Sequence, residues 1–96
     1  MSHNEWLSIY QKFALLPVTG YWDVFDLLEE TEPVFNSLAD DVADIYHDLK
    51  NGLSVYEAQY IVEAVWYWRF HFQVHWGQHL VRAQRAIHKY LVDESL

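Results

Sequence analysis

Three histidines at intervals of four stand within the stretch WYWRFHFQVHWGQH, residues 66–79. On a helix His71, His75 and His79 would stack along one side, and two histidines four apart can share a zinc or similar ion. A further ligand could come from an earlier predicted helix, which carries Asp44, His47 and Asp48. The Glu-x-x-His pattern of helical di-iron sites is missing, however. We therefore predict a polar strip of histidines that form hydrogen bonds near the surface, with no metal and no cofactor.

Arginine and histidine also recur with five intervening residues, at Arg69 with His75 and at Arg82 with His88. This spacing resembles the Arg-x(4–6)-His active-site motif of the all-helical HEPN ribonucleases. The resemblance implies that the arginine would hold a phosphate and that the histidine would take part in acid–base chemistry. The alternative function is thus a HEPN-like ribonuclease or a metal-dependent helical enzyme. Its polar site would consist of Arg69, His71, His75 and His79.

Arg69 has a simpler interpretation as a structural ion pair. On a helical wheel it lies among the apolar residues Val65, Phe72 and Trp76. An unpaired buried charge costs several kcal/mol, so the guanidinium must find a carboxylate or reach water. We expect Arg69 to be at least half buried and to pair with Asp44 or Glu63.

Acidic side chains dominate the charge of the chain, which has 14 acidic and 6 basic residues and a formal charge of −8. Such a charge repels phosphate backbones, so direct binding of nucleic acid is disfavoured and a basic protein is favoured as partner. The candidate protein-binding surface comprises two runs of acidic residues: Glu29, Glu30 and Glu32, then Asp40, Asp41, Asp44 and Asp48. Exposed tyrosine and tryptophan side chains would serve as anchors.

The elements that must position these residues have helical patterns. A first helix follows the spacing of Trp6, Phe13 and Leu16 and closes at Pro17. A second is predicted from about Tyr21 to Glu30, where Val24, Phe25, Leu27 and Leu28 have helical spacing.

The third predicted helix has the clearest beginning. Ser37 is a favourable N-cap residue, and Asp40 in the first turn complements the helix dipole. An apolar stripe, formed by Leu38, Val42, Ile45, Tyr46 and Leu49, predicts that the aspartates point away from the core. The pair Asn51-Gly52 would end the helix in a left-handed turn.

The last predicted helix opens at Ser54 and Glu57, which have the spacing of a capping box. It continues to about Tyr90 and is interrupted by Gly77 alone, where we expect a bend. Apolar side chains surround most of it, so we predict that the aromatic stretch is chiefly core. The sequence thus predicts one domain, residues 1–96, with an all-α fold: a compact bundle of four to five helices with a long C-terminal helix.

Other features narrow the class of protein. Cysteine is absent, which excludes disulfide scaffolds and thiolate metal sites. The beginning MSHNEW lacks the features of a signal peptide, and no apolar run approaches the length of a membrane span. We therefore expect a soluble cytoplasmic protein.

Two segments resemble a bacterial family of small helical domains of unknown function: SLADDVADIYHDLKNGL (residues 37–53) and EAVWYWRFHFQVHWGQHLVRAQRAIH (residues 63–88). The matching positions are Asp40, Asp41, Asp44, Ile45, Tyr46, Asp48, Leu49 and Lys50, then Trp68, His75, Trp76, Gly77 and His79. The spacing of Trp68 and His75 is one residue shorter than in the family's pattern. In size and charge the chain is also similar to bacterial immunity proteins, which block secreted toxins. Together these features predict a non-enzymatic acidic protein-binding module of the immunity or antitoxin type, which neutralises a basic toxin encoded nearby.

Overall fold

The first helix, α1, spans His3–Phe13. The computed structural model describes residues 2–24 and 27–95, the side chain of Ser95 excepted. At the beginning of α1 the hydroxyl of Ser2 accepts a hydrogen bond from the backbone N–H of Glu5 at 3.2 Å, which satisfies one of the free amides of the first turn. The first predicted helix is confirmed, although it ends before Leu16.

Two short strands follow α1: β1 (Gly20–Asp23) and β2 (Val34–Ser37). They pair antiparallel, with Tyr21 opposite Asn36 and Trp22 opposite Phe35. The helix predicted from Tyr21 to Glu30 is therefore wrong for the strand residues, while Phe25 and Asp26 lie outside the described part of the chain. The residues of β1 pair with residues 11 to 17 positions further along the chain, and local helical spacing cannot reveal such a partner.

The central helix, α2, spans Leu38–Glu57. Ser37 is its N-cap as predicted, because its side chain accepts a hydrogen bond from the N–H of Asp40. The predicted stop at Asn51-Gly52 is wrong: the helix continues for another turn and a half. The hydroxyl of Ser54 donates to the carbonyl of Lys50 at 3.2 Å instead of opening a new helix.

A long helical run forms the rest of the chain and consists of α3 (Ile61–His71), a π-helical turn (Phe72–Trp76) and α4 (Gly77–Ser95). The predicted long C-terminal helix is confirmed. The interruption expected at Gly77 is the π-helical turn, which ends directly before this glycine. A Cβ on Gly77 would lie 2.3 Å from the carbonyl oxygen of Phe72, so a larger residue would force this turn to shift.

The fold of the described residues is mainly helical, but it is not the predicted bundle of four to five helices. Three helical segments pack together: α1, α2 and the α3–α4 run, with α2 in contact with the other two and with both strands. The fully buried positions are mostly small, with Ala39 and Ala43 on α2, Ala64 on α3 and Ala83 on α4. Small residues allow the helices to approach closely, which brings polar groups on facing helices within reach of one another.

Most of the large apolar side chains of α3 face outward. Val62 is 77% exposed and Trp66 is 62% exposed. The prediction that the aromatic stretch is chiefly core is thus wrong for Trp66, Phe70 and Phe72. No helix in the described part of the chain combines the length and the hydropathy that a membrane span requires.

Candidate functional site: an aspartate–histidine cluster

Three aspartates of α2 lie on its inner side, where they face the π-helical turn and α4. Asp41 is only 2% exposed and Asp48 is 3% exposed, whereas Asp44 is partly buried between them. The prediction that these aspartates point into solvent is therefore wrong. A carboxylate is buried at a large cost unless it is paired and hydrogen bonded, so each of them requires a partner.

Histidines of the long helical run supply these partners. The Nδ1 atom of His75 lies 2.6 Å from Oδ2 of Asp48, and the Nδ1 atom of His79 lies 2.6 Å from Oδ1 of Asp41. In each pair the ring nitrogen donates to the carboxylate. Because one nitrogen of each ring is engaged in this way, the orientation of the ring is fixed and the other nitrogen, Nε2, is directed away from its aspartate.

Both of these Nε2 atoms approach the third aspartate. Oδ2 of Asp44 lies 3.9 Å from Nε2 of His75 and 3.4 Å from Nε2 of His79. One ligand-type atom from each of the three residues lies within 4.8 Å of the others. Two imidazole nitrogens and one carboxylate oxygen therefore surround a single point.

The outer partners of the cluster come from three further elements. The indole Nε1 of Trp6 on α1 donates to Oδ1 of Asp44 at 3.0 Å. The hydroxyl of Tyr21 on β1 donates to Oδ2 of Asp41. The Nδ1 atom of His47 lies 3.6 Å from Oδ1 of Asp48, and the other ring nitrogen of His47 is hydrogen bonded to Asn51. Each aspartate thus has a second polar neighbour in addition to its histidine.

The π-helical turn begins directly after His71 and contains His75, and His79 follows it in α4. An extra residue in one turn rotates the following helix by about 100°, so the strip of His71, His75 and His79 expected for a regular helix is broken. The Nδ1 atom of His71 instead lies 2.8 Å from the carbonyl oxygen of Tyr67. Two of the three predicted histidines therefore belong to the cluster.

Protonation in the cluster reflects these contacts. The hydrogen bond to Asp41 raises the pKa of the His79 ring, against the opposing effect of burial. Burial, followed by the hydrogen bond to Asp41, raises the pKa of the Tyr21 hydroxyl, which therefore remains a donor. Burial and the nearby carboxylates of Asp44 and Asp41 raise the pKa of Asp40.

Arg69 does not belong to the cluster. Its side chain is exposed, and in the described structure it forms no ion pair with Asp44, Glu63 or any other acid. The predicted structural ion pair is therefore wrong: Arg69 lies on the outer face of α3 and reaches water. Among the described residues, no hydrogen bond joins Arg69 to His75, so the structure does not bring these two members of the predicted polar site together.

The two predicted acidic runs have different environments. Glu29, Glu30 and Glu32 are exposed in the segment between the strands, and Asp40 is partly buried at the first turn of α2. Asp41 and Asp48 are too buried to meet a partner protein, so their assignment to a protein-binding surface is corrected.

Trp6 and Tyr21 were missed as members of the site by the sequence analysis. Trp6 is 38 residues from Asp44, and Tyr21 is 20 residues from Asp41. The sequence pattern places Trp6 on the apolar side of its helix, and it places Tyr21 in a helix where the structure has strand β1. Neither residue stands in a motif, so the sequence contained no local signal for these contacts.

The fold and the cluster define a small, mainly helical protein with a buried carboxylate–histidine centre between its helices. The chain belongs to the family described as domain of unknown function DUF5063, whose model matches residues 11–93. This confirms the resemblance to an uncharacterised domain family. Neither the curated proteins nor the solved structures include a significant match to the chain.

Proposed function

We propose that the protein binds a divalent metal ion through Asp44, His75 and His79. The observation that carries this proposal is the anchoring of both histidines by buried aspartates, which leaves both Nε2 atoms directed at one oxygen of Asp44. Histidine ligands of metals usually donate their other ring nitrogen to a carboxylate, which fixes the tautomer and makes the ligand more basic. In this protein that arrangement occurs twice around one point. The proposal replaces the sequence-based expectation of no metal.

The balance of charge also supports a cation. Asp41, Asp44 and Asp48 bring three negative charges to the cluster, and metal-bound histidines are neutral. A divalent ion would reduce the charge of this partly buried region from −3 to −1.

The ligand set suggests which metal and which chemistry. Two histidines and one carboxylate suit zinc and non-haem Fe(II), and three protein ligands leave positions open for water or a substrate. A cavity of about 440 Å³ reaches Asp44 and is lined by Ser2, His3, Trp6 and His47. This cavity opens Asp44, one of the three proposed ligands, to solvent. The proposal thereby retains one alternative from the sequence, the metal-dependent helical enzyme. Its site contains Asp44, His75 and His79, and Arg69 is not part of it.

A titration of the metal-free protein tests the proposal. We expect isothermal titration calorimetry with Zn²⁺ and with Fe²⁺ under anaerobic conditions to give one tight site per chain. Asp44→Asn and His75→Gln should each weaken binding at least tenfold, as loss of a ligand does. His71→Gln is the matched control, because His71 lies on the same helical run and its hydrogen bond among the described residues is to a backbone carbonyl. Absence of binding, or equal loss in the His71 variant, would overturn the proposal.

We also propose a protein-binding role for the exposed acidic segment Glu29–Glu32, with a basic partner such as a toxin encoded nearby. The support for it is the exposure of Glu29, Glu30 and Glu32 together with the formal charge of −8. This surface is smaller than the one predicted from the sequence, because Asp41, Asp44 and Asp48 belong to the cluster and Asp40 is partly buried. Immunity-type neutralisation would then depend on the segment between the strands.

A further inference from the structure

Half of the basic residues of this acidic chain lie along one side of α4. Arg82, Arg85 and Lys89 are three of the six lysines and arginines. Together with Tyr21 and Trp22 of β1 they line a cavity of about 300 Å³. A concentration of positive charge in a protein of formal charge −8 is not expected from composition alone.

Arg85 carries the charge that is available to a ligand. Arg82 lies 3.8 Å from Asp23 and is mostly buried, and Lys89 pairs with Asp93 at 2.7 Å. Arg85 is exposed, and within the described chain it has no ion pair. Among the described residues that line this cavity, three are basic and one, Asp23, is acidic.

An apolar cavity adjoins the cationic one. Its volume is about 500 Å³, and it shares Asp23, Arg82 and Arg85 with its neighbour. Its apolar lining is formed by Val24, Leu27, Phe72 and Val81. We call the two cavities together the arginine groove. A pocket with an apolar wall and a few convergent polar groups is the usual form of a small-molecule site.

We propose that the arginine groove binds a small organic anion, with its carboxylate or phosphate head at Arg85. The apolar body of the ligand lies in the larger cavity, against Phe72 and Val81. Guanidinium groups form paired, charge-assisted hydrogen bonds with carboxylate and phosphate oxygens, so both heads satisfy the same chemistry. The site is separate from the proposed metal ligands, because none of Asp44, His75 and His79 lines either cavity.

Four probes distinguish the chemistry: octanoate, octyl phosphate, inorganic phosphate and octanol, each below its aggregation limit. We expect calorimetry to show saturable binding of octanoate or octyl phosphate, and at least tenfold weaker binding of octanol and inorganic phosphate. The stronger of the two anions identifies the head group. Binding of inorganic phosphate as tight as that of octyl phosphate would overturn the role assigned to the apolar cavity.

Variants localise the binding to the groove. Arg85→Ala should weaken binding of the preferred anion at least tenfold, because it removes a hydrogen-bonded charge. Arg69→Ala is the matched control, since it removes an exposed arginine of the same helical run outside the groove. Val81→Glu tests the apolar end of the groove. Because Val81 is 61% exposed, the variant should still fold, but the added charge should abolish binding of the anion. Equal affinity in the Arg85 and Arg69 variants, or no saturable binding of any probe to the wild type, would overturn the proposal.

Discussion

The Nδ1 atom of His79 lies 2.6 Å from Oδ1 of Asp41, although 38 residues separate the two along the chain. This contact joins α4 to α2, and Tyr21 joins β1 to the same carboxylate. One buried aspartate therefore ties together three elements. Its burial is tolerated because both of its oxygens accept hydrogen bonds.

Asp41→Ala should destabilise the protein. The substitution leaves His79 and Tyr21 without their acceptor, and breaking such a buried polar network costs about 3 kcal/mol. Urea denaturation of the metal-free protein would measure the change in the free energy of unfolding. Glu29→Ala, at an exposed position, is the control and should change it by less than about 0.5 kcal/mol. A similar small change in both variants would show that the contact contributes little.

Gly52→Ala should also destabilise the protein, although alanine normally favours a helix by about 1 kcal/mol over glycine. A Cβ at this position would lie 2.0 Å from Nε1 of Trp68, whose indole covers the glycine and donates to the carbonyl of Leu49 at 3.1 Å. Displacing the ring should give a net loss of about 1–3 kcal/mol. Ser54→Ala on the same helix is the control, measured by the same denaturation experiment, and an increase in stability for Gly52→Ala would contradict the expectation.

Asp40 provides a test of how pH affects stability. Burial, then the carboxylates of Asp44 and Asp41, raises its pKa above the ordinary value of 3.8, while His79 acts in the opposite direction. The folded state therefore holds this proton more tightly than the unfolded state. As the pH rises through the folded pKa, Asp40 loses the proton and the free energy of unfolding decreases. Asp40→Asn should therefore raise the melting temperature of the metal-free protein at pH 7.

The gain from Asp40→Asn should shrink as the pH falls through the folded pKa and should disappear below 3.8, where Asp40 is protonated in both states. Thermal melts of both proteins between pH 3.5 and pH 7, in the presence of chelator, would measure it. A lower melting temperature for the variant at pH 7 would show that the attraction between Asp40 and the beginning of α2 is the larger effect.

Local signals in the sequence predicted α1, the beginning of α2 and the long C-terminal helix, but not the site. The N-cap at Ser37 was predicted because its hydrogen bond spans three residues. Gly52 was misread as a helix stop. A glycine is required there because the indole of Trp68, on another helix, leaves no room for a side chain. The aspartates of α2 were placed in solvent for the same reason. Their histidine partners lie 27 and 38 residues away, and no local pattern shows that two such segments will meet.

The proposed acidic docking segment predicts a charge-dependent association rate. Replacing Glu29, Glu30 and Glu32 with lysine should slow association with a basic partner at least tenfold at low salt, because steering by an oppositely charged surface is lost. The control replaces three exposed glutamates elsewhere, Glu57, Glu63 and Glu94, and so changes the net charge equally. Stopped-flow measurements with the protein encoded by the adjacent gene, across a salt series, would provide both rates. The association rates of the two triple variants should converge as salt shortens the Debye length below about 10 Å. Equal slowing in the two triple variants would mean that total charge, and not this segment, governs the encounter.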